Sequence, residues 1–280
     1  MWNQFISFKF YFLYLFAFLI PVNTSSQDLN YNFKNLFEET ELAKTRINSI
    51  IQDNRVYIWF CTQIGLYRYD GYSLLAYRAH PGDSTSISAN NVRDIKEDSE
   101  GNLWIATYGG GFNKYDALKE TFSSYTADAN KNSIPENNIT ALEIDKDGTI
   151  WLGCRLEGLS RFNPKTGIFD NYLPVSNVEK ENGITSIFRD SENTIWFSCY
   201  KAGVFKVIKN DGIKFENYQH EEGNPNSLSD NDVWSISEDH LNNIWIGAHI
   251  LNKFDKRNNS FIRYPYDKKE INSDTRIETI

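Results

Sequence analysis

Cysteine is scarce in this 280-residue sequence, with only Cys61, Cys154 and Cys199, far apart. An odd, dispersed set builds neither a disulfide framework nor a CxxC metal site. The four histidines, His80, His220, His240 and His249, stand without a partner at metal-ligand spacing, so no metal or other cofactor is expected. Glycine (16) and proline (7) are too few for a collagen-like or low-complexity chain. Lysine and arginine form no block and the net charge is −8, which argues against nucleic-acid binding. No GxSxG elbow, P-loop or kinase motif is present. Helical periodicity is missing as well. What the chain has is aromatic residues, at 15%, enough to bury the surface that offsets ordering entropy.

The purest apolar run lies near the N-terminus. Residues 1–9 carry one positive charge, residues 10–20 are apolar, Pro21 breaks the run, and residues 24–26 are small. That order is the order of a secretory signal, so residues 1–26 are expected to be one. A retained anchor over residues 5–22 is the alternative. Residues 27–280 then form the exported part, periplasmic or extracellular. They would meet a membrane only through that N-terminus or a longer parent chain.

Tryptophan organises the remainder. Trp59, Trp104, Trp151, Trp196 and Trp245 are separated by 45, 47, 45 and 49 residues. Each follows an aspartate by six positions: Asp53, Asp98, Asp145, Asp190 and Asp239. A period near 46 residues is the signature of propellers and related arrays. In the second copy, residues 92–95, 103–107, 112–115 and 121–125 read as strands, separated by turn residues at 98–102 and 109–111. The spacing predicts an all-β fold, a β-propeller of four-stranded blades. The repeats run near 46–90, 91–137, 138–182, 183–231 and 232–276. Each tryptophan is expected to fill the space between blades. The last strand of copies two to five carries F-x-x-Y, as in Phe122 to Tyr125, and residues 31–36 (YNFKNL) look like a stray fourth strand that completes a final blade.

The pattern V-x-x-I-x-x-D-x-x-G-N-L-W-I-x-T-x-x-G-G-[LF]-x-[RK]-[YF]-[DN], best matched by residues 92–116, resembles the two-component regulator propeller repeat. The segment 65–71 (GLYRYDG) resembles the opening repeat of such proteins, and the likeness covers about residues 29–280. It implies the periplasmic sensor region of a hybrid two-component system histidine kinase from polysaccharide-degrading bacteria. In that family two propellers and a small β-sandwich precede a membrane helix, kinase, receiver and helix-turn-helix regulator, none of which is in this sequence. The fifth copy departs at Ile250, where the turn glycine is missing, and Val207-Ile208 replaces the aromatic-Asp pair in the fourth.

Five copies serve as an internal substitution table. Positions filled alike serve the blade, whereas a site on an unsymmetrical ring needs residues that differ. The aspartate before each tryptophan is constant, and so is a basic residue within ten positions after it: Arg68, Lys114, Arg161, Lys206 and Lys253. These are expected to be structural, the aspartate capping a turn and pairing electrostatically with a neighbouring strand. Asn90, Asn137, Asn182 and Asn231 are expected to hold connecting backbone. Asp145-Lys-Asp147-Gly148 reads as a hairpin turn, because the equivalent turns lose the acid pattern that calcium needs.

The turn between second and third strands varies: Gln63, Tyr108, Arg155 with Glu157, Tyr200 with Lys201, and His249. These are the candidate ligand-binding residues. Tyrosine faces stack on sugar rings, and Arg, Lys and Gln bond hydroxyls, uronates or sulfates. The expected function is detection of a glycan-derived oligosaccharide and signalling to a kinase outside this sequence, with a homodimer of the parent receptor as the partner arrangement. An exported carbohydrate- or protein-binding propeller without signalling is the rival. A propeller glycosidase or lyase is weaker, since Glu157 lacks a second carboxylate.

At about 46 residues per repeat, residues 27–280 hold five copies, and residues 277–280 resemble the start of a sixth. The family implies seven. An unclosed arc with apolar blade faces exposed, poorly soluble by itself, is therefore expected.

Overall fold

A computed structural model describes residues 37–129, 131–175, 183–265 and 277. The signal-like segment, the YNFKNL strand, Asn182 and residues 278–280 lie outside them. After a short 3-10 turn at Glu41–Lys44, twenty strands follow. The first blade holds β1 (Ile47–Gln52), β2 (Ile58–Thr62), β3 (Gly65–Tyr69) and β4 (Leu74–Tyr77). The second holds β5 (Val92–Glu97), β6 (Leu103–Thr107), β7 (Phe112–Asp116) and β8 (Thr121–Tyr125). The third holds β9 (Ile139–Ile144), β10 (Ile150–Cys154), β11 (Leu159–Asn163) and β12 (Ile168–Tyr172). The fourth holds β13 (Ile184–Arg189), β14 (Ile195–Cys199), β15 (Gly203–Lys209) and β16 (Ile213–Tyr218). The fifth holds β17 (Ser235–Glu238), β18 (Ile244–Gly247), β19 (Leu251–Asp255) and β20 (Ser260–Tyr264). Each set forms its own antiparallel sheet in sequence order, the arrangement of propeller blades.

Neighbouring blades pack through their first strands, β1 on β5, β5 on β9, β9 on β13 and β13 on β17. The first strands are therefore innermost, where blades converge. Second strands are squeezed on both faces, and every residue of β6, β10 and β14 is buried. That explains their unbroken apolar runs. Trp59, Trp104, Trp151 and Trp196 are at most 1% exposed, and each sits in a cluster with apolar residues of the following blade. Trp245, on the last described blade, is half-buried.

The hairpin joining first and second strands needs one left-handed residue. Gly101, Gly148, Asn193 and Asn242 supply it, and Val56 does so at φ 70° despite its branched side chain. The third strand opens with another constraint. Gly111, Gly158 and Gly203 adopt positive φ, and a Cβ on each would collide with the carbonyl oxygen of Tyr125, Tyr172 or Tyr218. That tyrosine is the last residue of F-x-x-Y, so two repeated motifs meet in one close approach.

Candidate functional site

The constant residues assemble into one unit per blade. The indole N–H of each tryptophan donates to the preceding aspartate: Trp59 to Asp53 at 2.9 Å, Trp104 to Asp98 at 2.8 Å, Trp151 to Asp145 at 3.3 Å, Trp196 to Asp190 at 3.0 Å and Trp245 to Asp239 at 2.8 Å. The same carboxylates cap the hairpin, as when Asp98 accepts the backbone N–H groups of Glu100 and Asn102. The basic residue stands directly across the ladder from the tryptophan and lies over its ring, with distances from 5.3 Å for Lys114 on Trp104 to 5.9 Å for Arg161 on Trp151. This corrects the expected aspartate–base pairing. The constant base binds the aromatic face, a cation–π contact, while the aspartate is occupied by the indole. Asp53, which also pairs with Arg55 at 3.5 Å, and Asp145, which also meets Lys209, are exceptions.

Asn90, Asn137 and Asn231 each accept a backbone N–H through Oδ1, from Ala79, Ala127 and His220. Asp145 to Thr149 closes as a hairpin by backbone bonds at both ends. Cys61, Cys154 and Cys199 are buried, and burial pushes each thiol up, that of Cys199 to about 12.

The variable turns stand beside the starts of first strands. Tyr108 donates its backbone N–H to Asn91 O (2.8 Å), Arg155 to Asn138 O (3.0 Å) and Tyr200 to Gly183 O (2.8 Å). Those acceptors immediately precede β5, β9 and β13, so the turns gather at one end of the innermost strands. Tyr108 and Arg155 come together from neighbouring blades, the guanidinium carbon 5.6 Å from the ring centroid. The Lys201 ammonium lies 5.2 Å from the Tyr200 ring, on left-handed backbone at φ 56°. Gln63, Arg155, Glu157, Tyr200, Lys201 and His249 are exposed, and Tyr108 is half-buried.

Two further residues belong to this end of the blades. Glu136 Oε1 accepts the N–H groups of Leu156 (2.5 Å) and Glu157 (2.9 Å), fixing the turn that presents Arg155. Arg93, second in β5, is half-buried beside Tyr108 and Arg155. Neither occupies the variable turn, so comparison of that turn could not reveal them. A separate polar cleft of about 260 Å³ lies between the outermost strands β16 and β20, lined by Asn217, Gln219, Asn224, Asn226 and Asn259 among others.

Four segments of the chain, residues 86–109, 133–155, 179–201 and 227–249, match the family model of the two component regulator propeller. One falls on each of the second to fifth blades. The chain carries two component regulator propeller repeats. Solved relatives agree with these repeats. The extracellular domain of a protein described as a hybrid two component system from B. thetaiotaomicron is 25% identical at TM-score 0.64, covering 77% of this chain and 29% of that one. The extracellular domain of a one component system from the same organism is 22% identical at TM-score 0.63, covering 80% and 31%. Histidine kinase P4 of Formosa agariphila is 36% identical over 74 residues, which are 26% of this chain and 5% of that protein. The chain thus spans less than a third of each of these relatives. Virginiamycin B lyase from Staphylococcus aureus, 12% identical at TM-score 0.59 with 79% of this chain and 70% of that one covered, shares the fold alone. The repeats and their extracellular relatives agree with an exported location for this propeller. Among the described residues no helix is long and apolar enough to cross a membrane.

Proposed function

We propose that this propeller binds an oligosaccharide outside the cytoplasmic membrane and passes that event to a histidine kinase, without catalysis of its own. One observation carries the reading. Each of the four matched segments ends within or just past the turn where the copies stop agreeing, at Gly109, Arg155, Lys201 and His249. Below that turn the blades repeat one Asp–Trp–base unit. At the turn they present Tyr108, Arg155, Tyr200 and Lys201, whose rings and cations suit a sugar face and its polar substituents. The signalling half of the reading is supported by relatives named as a histidine kinase and as two component system ectodomains.

The test is a thermal-shift screen of the full chain against neutral and acidic oligosaccharides, followed by calorimetry on whatever raises Tm. Tyr108→Ala and Tyr200→Ala are each expected to weaken that ligand by roughly tenfold, the loss of one stacked ring. Unchanged affinity in both variants would remove the variable turns from the binding site.

A further inference from the structure

In four blades the first strand carries a bulge at its second residue. Register shifts fall between Ile47 and Ser49, Val92 and Asp94, Ile139 and Ala141, and Ile184 and Ser186. A bulge re-aims the extra side chain. In three of these blades the re-aimed residue clasps the next blade's first strand or the backbone just before it. Asn48 donates to Val92 O at 2.7 Å, Thr140 to Ile184 O at 2.6 Å, and Thr185 to Val233 O at 2.7 Å.

The second blade breaks the pattern with Arg93. Its buried Nε has no hydrogen-bond partner among the described residues. Burial first, and then repulsion from Arg46 and Arg155, hold its guanidinium below the ordinary arginine value, with only Tyr108 acting the other way. Arg155 is already stacked on Tyr108 at 5.6 Å. Among the described residues neither Arg93 nor Arg155 forms an ion pair. The nearby carboxylate of Glu136 is occupied by the N–H groups of Leu156 and Glu157, and Glu157 is exposed. A chain of net charge −8 therefore gathers three arginines at one end of its innermost strands and leaves two of them without a counter-charge. A buried donor left unmade is costly, and arginine's planar fork matches carboxylate and sulfate geometry.

We infer that Arg93 and Arg155, backed by Tyr108, form a receptor for an anionic group of the ligand, either a uronate carboxylate or a sulfate ester. This rests on the oligosaccharide-binding reading and narrows it to acidic glycans. Arg93 supplies the buried donor and Arg155 the preorganised rim cation.

The full chain is tested in two arms. In the first, Tm is followed with sodium sulfate against sodium chloride at matched ionic strength. Wild type is expected to gain stability from sulfate beyond the chloride control. Arg93→Met is expected to raise the Tm of the unliganded protein, because like-charge repulsion is relieved, and to cut the sulfate response back to the general salting-out gain that sulfate gives any folded chain. Lys165→Met, an exposed cation on an outer turn, should leave the response intact. In the second arm, a galacturonate oligomer, a sulfated galactan oligomer and a neutral galactan oligomer are titrated by calorimetry. Preference for either acidic oligomer, lost by roughly tenfold or more in Arg93→Met and Arg155→Met, supports the receptor and names its anion. Tight binding of the neutral oligomer that Arg93→Met leaves unchanged would overturn the anion receptor while keeping the oligosaccharide reading. Absence of any sulfate-specific stabilisation, together with a lowered Tm in unliganded Arg93→Met, would also overturn it, since Arg93 would then be structural.

Discussion

Asp98 holds the indole N–H of Trp104 at 2.8 Å across the hairpin that joins β5 to β6, and the same pair recurs in every described blade. The six-residue spacing is the length of chain needed for one carboxylate to cap the turn and reach the indole. Trp104 is 1% exposed, so its N–H has no water to fall back on.

Asp98→Ala should therefore destabilise the chain by about 2 kcal/mol, the cost of an unmet indole donor and a lost turn cap. Asp98→Asn, which keeps an acceptor oxygen, should cost about half as much. Urea unfolding of the two variants, followed by tryptophan fluorescence, measures both.

Acid should loosen the blades through the same groups. Burial works to raise the Asp98 carboxyl, but the N–H groups of Trp104, Asn102 and Glu100 outweigh it and hold the pKa below its ordinary value. Asp239 is lowered likewise, foremost by the Asn243 side chain. A carboxylate with a depressed folded pKa contributes stability that is complete above its unfolded value, roughly pH 4, and is lost as pH falls through the folded one. Stability should be flat from neutrality to about pH 5 and fall steeply below pH 4, with a shallower fall in Asp98→Asn. A midpoint of urea unfolding that does not change between pH 5 and pH 3 would contradict this.

Two neighbouring glycines should respond very differently to alanine. Gly111 sits at φ 73°, and an added Cβ would meet the Tyr125 carbonyl, whereas Gly109 at φ 98° faces open space. Gly111→Ala should cost more than about 3 kcal/mol, strain plus collision, and Gly109→Ala about 1 kcal/mol from backbone strain alone. Thermal melts of both variants give the comparison.

Val56 occupies the left-handed hairpin position at φ 70° with its side chain 69% exposed. A β-branched residue is strained there and gains little from packing. Val56→Gly should raise stability by about 1 kcal/mol, and Val56→Asn by somewhat less. A lowered Tm in both would mean that the Val56 methyl groups matter to packing.

Periodicity made the blades legible. Trp59 to Trp245, their aspartates and the F-x-x-Y ends recur because every blade must bury the same strand against the next, so the chain repeats the solution. The role of Lys114 and its equivalents was not legible, because spacing gives proximity to both an acid and an aromatic ring. Only the cross-strand register of Trp104 with Lys114 shows that the ring is the partner. The variable turn stood out as the position where copies disagree. Its company did not, since Glu136 and Arg93 lie outside that turn in the chain.

By itself the sequence determined the four-stranded unit, its number of described copies and the turn where those copies differ, since all three follow from local patterns a blade imposes on about 46 residues at a time. Tertiary structure decided which residues from different blades meet. Arg155 reaches Tyr108 across a blade boundary, 47 positions back in the chain. Arg93 joins them because the bulged position that carries the clasping Asn48, Thr140 and Thr185 in other blades holds an arginine in the second. A bulge depends on pairing between strands and leaves no mark in the pattern of one strand alone.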